Sequence, residues 1–105
     1  MQITLEHDGT DLIVHIDGLL SFHHHREGDE LIEGITKAMV EHKPKNIRFD
    51  LSKTQSLDSH WLGIFIRIFR RAKEKQVAMS IEKASADVRR LFSIVQIDRI
   101  IEIRA

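Results

Sequence analysis

The stretch Asp58-Ser59-His60-Trp61-Leu62-Gly63 contains the residues best placed for chemistry. It lies where an apolar, strand-like segment and a polar connection lead into a strongly amphipathic helix. A serine hydroxyl at such a junction is presented to solvent beside the free N–H groups of the first helical turn, where added negative charge is tolerated. Ser59 is therefore the residue predicted to act as a switch.

Two other patterns suggest catalysis or metal binding. Ser59 and His60 resemble a nucleophile and its base, but adjacent residues at a helix start usually point apart, and no oxyanion donor or third member can be placed. The run His23-His24-His25 suggests a metal, but three consecutive side chains do not readily converge on one ion. We predict no catalytic residue, no metal site and no cofactor, and we expect the histidines to form a solvated turn that opens the first helix.

Two residues of the stretch have both a structural and a functional interpretation. Asp58 is of a type that caps helices well, so its role could be capping, binding or both. Trp61 could begin the core stripe of the helix, or it could be a partly exposed anchor, since tryptophan is enriched among binding hot spots. Both residues are included in the predicted partner-binding set.

The helix that follows is rich in basic residues, which are Arg67, Arg70, Arg71, Lys73 and Lys75. A nucleic-acid footprint is one interpretation, but the chain has no net charge and no basic strand interleaved with aromatic residues. A solvated face or a docking surface for an acidic partner fits better. Ile64 and Ile68 flank the arginines and could add an apolar patch beside Ser59. The predicted partner-binding residues are Asp58, Ser59, His60, Trp61, Gly63, Ile64 and Arg67.

Length and composition indicate one folded domain spanning residues 1–105. The chain is 42% apolar and 30% charged, with sixteen basic and sixteen acidic residues. This balance provides no global attraction to nucleic acid or to an anionic membrane and favours a protein partner. No run approaches the length needed to span a bilayer, no signal peptide is recognisable, and cysteine is absent. We therefore expect a cytoplasmic protein that neither inserts into membranes nor binds nucleic acid directly.

Periodicity predicts an alternation of strands and helices. Residues 2–7 and 11–17 alternate around Asp8-Gly9-Thr10, which is typical of a hairpin. A helix running from about Leu31 to His42 is ended by Pro44, and a strand follows at Asn46–Leu51. Ser52–Ser56 is predicted to be a polar loop, His60–Lys75 a helix and Val77–Lys83 a strand. Ser85 then caps a third helix, and Ile100–Arg104 forms the last strand.

This order predicts an α/β fold, with a mixed β-sheet of about five strands and three to four helices packed on it. Functional loops in such sheets tend to lie at the carboxyl ends of parallel strands. The loop before Ser59 is at such a position.

Four segments, in this order, resemble the STAS domain, in particular its stand-alone anti-sigma factor antagonists. They are the strand Asn46–Leu51, the turn Asp58-Ser59-x-x-Leu62-Gly63, the helix end Arg70-Arg71-Ala72-Lys73, and Ser85-x-x-Val88-Arg89-Arg90-Leu91-Phe92. The resemblance covers nearly the whole chain and implies a STAS-like sheet.

The resemblance also implies a phosphorylation-regulated partner-switching protein, which is not an enzyme. In the family, the serine that matches Ser59 is phosphorylated by a GHKL-type serine kinase that is also the anti-sigma factor, and a PP2C-type phosphatase removes the phosphate. The unphosphorylated protein sequesters the kinase. An alternative implied by other small STAS proteins is a constitutive accessory subunit that binds an ABC-transporter ATPase.

The sequence departs from the family pattern in two places. His60 and Trp61 replace a small residue and a glycine, and Gly18-Leu19-Leu20-Ser21 replaces a Gly-Glu-Leu-Asp type sequence. If the missing carboxylate assists phosphorylation, the protein is expected to be modified slowly or by a divergent kinase.

Overall fold

The computed structural model describes residues 1–104 and confirms the predicted mixed α/β fold. The sheet contains β1 (Gln2–Asp8), β2 (Asp11–Leu20), β3 (Asn46–Asp50), β4 (Thr54–Leu57), β5 (Ala78–Glu82) and β6 (Glu102–Arg104). The helices are α1 (His25–His42), α2 (Ser59–Glu74) and α3 (Ala86–Ile94), and short 3-10 turns lie at Phe22–His24 and Ile97–Arg99. Within residues 1–104, none of the helices is both long and apolar enough to cross a bilayer.

The first two strands form the predicted hairpin. Asp8 pairs with Asp11 around Gly9, whose φ of 61° lies in the left-handed region that the tight turn requires. β2 then continues to Leu20, three residues beyond the predicted end. Its register shifts between Gly18 and Leu19, and Gly18 has a φ of 128°. This irregularity allows the end of β2 to pair with a further strand.

That further strand is β4, which the sequence pattern predicted to be a loop. The strand is short and mostly polar, and its buried Thr54 donates a hydrogen bond from Oγ1 to the Ile16 carbonyl at 2.8 Å. β4 pairs with β2 in parallel through Leu19–Ser56 and Leu20–Leu57. The chain therefore leaves the sheet immediately before Asp58, at a position fixed by backbone pairing.

The remaining strands form one sheet in the order β1-β2-β3-β5-β6, in which only β1 and β2 are antiparallel. Alternate residues of the central strands, such as Leu12, Val14 and Phe49, are fully buried. Phe65 from α2 packs edge-on against Phe49 and against Phe92 from α3, with centroid distances of 5.1 and 5.7 Å. These aromatic contacts join two helices to the sheet.

The first helix begins earlier than the periodicity predicted, at His25 instead of near Leu31. Its first turns are polar outside the buried Gly28, so they carry little apolar signal. The helix ends as predicted at His42, where Lys43 adopts a left-handed φ of 48° ahead of Pro44.

A network of charged side chains covers the other face of the sheet. Arg48 on β3 donates two hydrogen bonds to Glu82 on β5, at 2.9 and 3.0 Å, and a third to Asp11 on β2 at 3.2 Å. Arg104 on β6 also donates to Glu82 at 3.1 Å. The hydrogen bonds from Arg48 hold the pKa of Glu82 below its ordinary value, although burial acts in the opposite direction. Glu82 thus links three parallel strands.

We predict that Glu82→Gln lowers the free energy of unfolding at pH 7 by about 1–2 kcal/mol, at the low end for charged hydrogen bonds because Arg48 is partly exposed. The pKa of Glu82 is lowered, so its ionised form stabilises the fold above the ordinary value of 4.5. This contribution is lost as the pH falls through the lowered pKa.

Denaturant unfolding across pH measures this contribution. The difference between the wild type and Glu82→Gln is expected to disappear in acid, whereas Glu102→Gln, which removes an exposed ion pair to Arg104, should have little effect at any pH. A difference that stays constant down to acid pH would contradict the prediction.

Candidate functional site

The site is organised around the start of α2. Asp58 is the N-cap, with extended backbone, and its Oδ1 accepts a hydrogen bond from the Trp61 N–H at 3.1 Å. Ser59 is the first residue of the helix and is exposed. The helix therefore begins one residue before the predicted His60, and the exposed Ser59 lies beside the free N–H groups of the first turn.

The same aspartate also holds the connection between β2 and α1. Its Oδ2 accepts a hydrogen bond from the Phe22 N–H at 2.8 Å, and its own N–H donates to the Leu20 carbonyl at 3.0 Å. Both carboxylate oxygens of Asp58 are thus used within the chain, one by each of two segments. Capping is part of its role, and the second contact was not foreseen from the sequence.

Trp61 belongs to the core, and its assignment as a partly exposed anchor is wrong. Its side chain is 0% exposed, and the indole Nε1 donates a hydrogen bond to the Ser21 carbonyl at 3.0 Å. The alternative interpretation, a core aromatic that begins the apolar stripe of α2, is the one that the structure supports. The indole fixes the same connection that Asp58 holds.

Ile64 and Ile68 are each 1% exposed, so the prediction that they add an apolar patch to the surface is also wrong. They face α1, which approaches α2 so closely that a Cβ added to Gly28 would lie 3.0 Å from Ile64 Cδ1. Periodicity correctly placed both residues on the helix. The buried apolar stripe of the helix is, however, wider than the neighbouring basic residues indicated.

Three of the predicted residues lie along one side of α2, where Ser59 and Arg67 are exposed and Gly63 is partly buried. Ser59, Gly63 and Arg67 are spaced four apart, so they share one side of the helix over about 12 Å. A Cβ added to Gly63 would meet no atom within 4 Å. Arg67 is exposed and lies 3.8 Å from Asp29 on α1. This row can be approached closely by another backbone.

Two exposed apolar residues that sequence reasoning missed lie near the start of α2, since Leu19 pairs with Ser56 in the sheet and the Phe22 N–H binds Asp58. Leu19 is 53% exposed and Phe22 is 61% exposed, and both belong to the segment that Asp58 holds. The signal was present in the sequence, because both are apolar residues in the stretch from Gly18 to Arg26 where no core periodicity accounts for them. We call Ser59, Gly63, Arg67, Leu19 and Phe22 the Ser59 surface.

Phe22 contacts two histidines, His60 and His25 of the histidine run. The Phe22 ring stacks on His25 at 4.9 Å and meets His60 edge-on at 5.2 Å. His60 Nε2 is enclosed and has no hydrogen-bond partner among residues 1–104. His24 instead bonds Glu27 through Nδ1 at 2.7 Å. The histidines thus make separate contacts, and within the described part of the chain no group of three or more acidic or histidine side chains is placed to hold a metal ion.

The basic residues of α2 do not form one continuous patch. Arg67 is paired with Asp29, and Arg71 donates to Thr36 Oγ1 at 3.0 Å, so both are directed toward α1. The other three basic side chains, Arg70, Lys73 and Lys75, are exposed near the end of the helix. At neutral pH, the cation nearest to Ser59 along its own row is Arg67, two turns away.

Known structures share this fold. An anti-sigma factor antagonist described from Thermotoga maritima superposes with a TM-score of 0.84 at 17% identity, covering 98% of this chain and 86% of that one. An antagonist from Mycobacterium paratuberculosis gives 0.84 at 15% identity, covering 98% and 84%. The Bacillus protein SpoIIAA in its phosphorylated form gives 0.75 at 14% identity, covering 99% and 92%. At these identities the likeness concerns the fold.

The sequence itself provides the family. A search among curated proteins finds no match. The family model of the STAS domain, however, matches residues 2–105, which is nearly the whole chain. Together with the six-stranded mixed sheet and its three helices, this match shows that the chain belongs to the STAS domain family.

Proposed function

We propose that this protein is a phosphorylation-regulated anti-sigma factor antagonist, which binds and sequesters an anti-sigma factor with serine kinase activity while Ser59 is unphosphorylated. The observation that carries the proposal is the position of Ser59, exposed at the first turn of α2 and next to its cap Asp58, in a STAS domain. Structures of similar fold include SpoIIAA in unphosphorylated and phosphorylated forms.

The local structure explains how one phosphate could change binding without refolding. A phosphate adds about −1.5 to −2 charges at neutral pH. The N-terminal turn of α2 tolerates this charge, because its N–H groups and the helix dipole favour anions. Asp58 already uses both oxygens within the chain, so the new charge adds to a fixed carboxylate. The result is a dense anionic spot that an apolar or acidic partner surface rejects.

The partner-contacting residues in this proposal are those of the Ser59 surface, with His60 and Asp58 behind them. Leu19 stands where the family resemblance expects a carboxylate, and it is exposed. Contact with the kinase would therefore be more apolar at this point than the family pattern implies, and phosphorylation would depend less on a carboxylate from this segment. A divergent GHKL-type kinase and a PP2C-type phosphatase, both acting in the cytoplasm, would complete the cycle.

We predict that Ser59→Asp and Ser59→Glu weaken binding to the kinase by about 100-fold or more, equivalent to about 2.7 kcal/mol, because like charges or buried unpaired charge at an interface cost several kcal/mol. Ser59→Ala should bind with the affinity of the unphosphorylated protein and resist phosphorylation. Titration calorimetry with the purified kinase measures these affinities, and thermal unfolding checks that all variants fold.

Ala86→Asp is the matched control for these variants. Ala86 is exposed and is the first residue of α3 after the cap Ser85, so it repeats the position of Ser59 on another helix. Its added charge should leave kinase binding unchanged. Equal affinity of Ser59→Asp and Ser59→Ala for the kinase would contradict the switch.

We also predict that Phe22→Ala weakens kinase binding by about 30-fold, which corresponds to the roughly 2 kcal/mol typical of an aromatic hot spot. Because Phe22 is 61% exposed, the stability of the folded protein should change little. Val40→Ala removes a side chain of similar exposure from α1 and serves as the control. Unchanged affinity of Phe22→Ala would remove this residue from the interface.

The modification itself is tested by mass analysis of protein purified from its native host. We expect one phosphate, located on Ser59 by fragment masses. A phosphate only on Ser52 or Ser56 would move the site, and no phosphate under any growth condition would favour the constitutive subunit of an ABC-transporter complex.

A further inference from the structure

The two edges of the sheet are protected very differently. β6 is three residues long and ends the sheet with charged Glu102 and Arg104. β1 has seven residues, and it pairs with β2 on one side in a register without a bulge. Its sequence, Gln2-Ile3-Thr4-Leu5-Glu6-His7-Asp8, contains neither proline nor lysine. Proline, bulges and charged side chains, especially lysine, are the usual devices that keep an edge strand from pairing with another chain. In β1 the charged residues are Glu6 and Asp8, both in the half next to the turn.

The hairpin determines which backbone groups of β1 face outward. Asp8 and Asp11 close a two-residue turn, so they form a hydrogen-bonded pair, and such pairs alternate along an antiparallel ladder. The N–H and C=O groups of Ile3, Leu5 and His7 are therefore the ones directed toward the free edge. These three residues can pair with a further strand.

The side chains on this edge are only partly covered. Leu5 is 39% exposed and lies over α1, where a Cβ added to Gly34 would be 3.9 Å from Leu5 Cδ1. A groove of about 340 Å³ runs between β1 and α1, and it is lined by Ile3, Leu5 and Leu31 together with the carboxylates Glu27 and Glu30. Among residues 1–104, no strand pairs with these backbone groups, so the edge offers both them and apolar surface.

We propose that β1 is a homodimer interface, in which two copies pair their β1 strands antiparallel about a twofold axis at Thr4 to form one continuous twelve-stranded sheet. A twofold axis perpendicular to the sheet keeps each side chain on the same face of the continuous sheet. Odd-numbered residues therefore pair only with odd-numbered residues, and even-numbered residues only with even-numbered ones. With Thr4 on the axis, Ile3 lies opposite Leu5 of the second copy and forms the hydrogen-bonded pair that the edge requires.

This register is self-complementary along its length. Ile3 and Leu5 form two apolar pairs on the helix face, Thr4 pairs with Thr4, and Gln2 lies opposite Glu6, where an amide meets a carboxylate. Shifting the axis to Leu5 would leave one apolar pair, Leu5 against Leu5, and would place Ile3 against His7. Shifting it to Glu6 would place two carboxylates opposite each other, which is destabilising. Among these three axes, the sequence of β1 favours the one at Thr4.

Such a dimer would present two Ser59 surfaces in one particle, because none of the residues that define that surface belongs to β1. The inference does not depend on the proposed function. A STAS domain without a phosphosite would pair in the same way, and a phosphorylated one would pair too.

Sedimentation across a concentration series tests the dimer, with an expected rise from 12.2 kDa to twice that mass. Thr4→Lys should abolish the rise, because it places two cations together on the axis, and Thr4 is exposed, so folding should be preserved. Thr10→Lys, at the exposed hairpin turn, should dimerise like the wild type. A wild type that stays at 12.2 kDa throughout, or a dimer that Thr4→Lys leaves intact, would overturn the proposal.

The absence of cysteine provides a test of the register. Thr4→Cys should form a disulfide-linked dimer under oxidised glutathione, because non-hydrogen-bonded partners have close Cβ atoms. Ser93→Cys, exposed on α3, measures collisional cross-linking and should react far more slowly. Faster cross-linking of Leu5→Cys than of Thr4→Cys would contradict the Thr4 axis.

Discussion

The carboxylate of Asp58 is the constraint on which the rest of the site depends. One oxygen caps α2 through the Trp61 N–H, and the other binds the Phe22 N–H from the connection after β2. A single side chain thus sets the start of the helix and the path of the neighbouring segment. Because both contacts are made to backbone groups, they fix geometry without depending on the side chains displayed. Substitutions at Leu19, Phe22 or Ser59 can therefore change the surface while the backbone beneath it keeps its position.

This arrangement explains why a switch at Ser59 need not alter the fold. The residue lies outside the core, at a helix end whose dipole accommodates an anion, and the neighbouring core residue Trp61 is held from inside by the Ser21 carbonyl. A phosphate on the Ser59 hydroxyl would alter the outer surface of the protein and leave the packing of the Trp61 indole unchanged. The phosphate would then change the free energy of binding, because the anion must lose its hydration water when a partner covers it.

The sequence predicted those features that repeat with a period, and it missed those set by tertiary contact. The hairpin at Gly9 and the helix α2 follow from alternation, turn chemistry and a broad apolar face. Strand β4 is polar and four residues long, so its existence depends on the bulge at Gly18 and on the Thr54 bond to the Ile16 carbonyl. The burial of Trp61 and Ile64 depends on how closely α1 approaches at Gly28, which helical periodicity alone does not specify.

The two departures from the family pattern, at His60-Trp61 and at Gly18–Ser21, lie next to each other in the structure. His60 and Trp61 are on α2, and Leu19 and Ser21 follow the bulge in β2, yet the structure joins the two segments. The Trp61 indole binds the Ser21 carbonyl, and the His60 ring meets Phe22. A tryptophan in place of a glycine needs a hydrogen-bond acceptor, which the Ser21 carbonyl provides, and Leu19 and Phe22 are exposed in the same segment. Under the proposed function, these exposed residues favour a partner with an apolar surface facing Ser59.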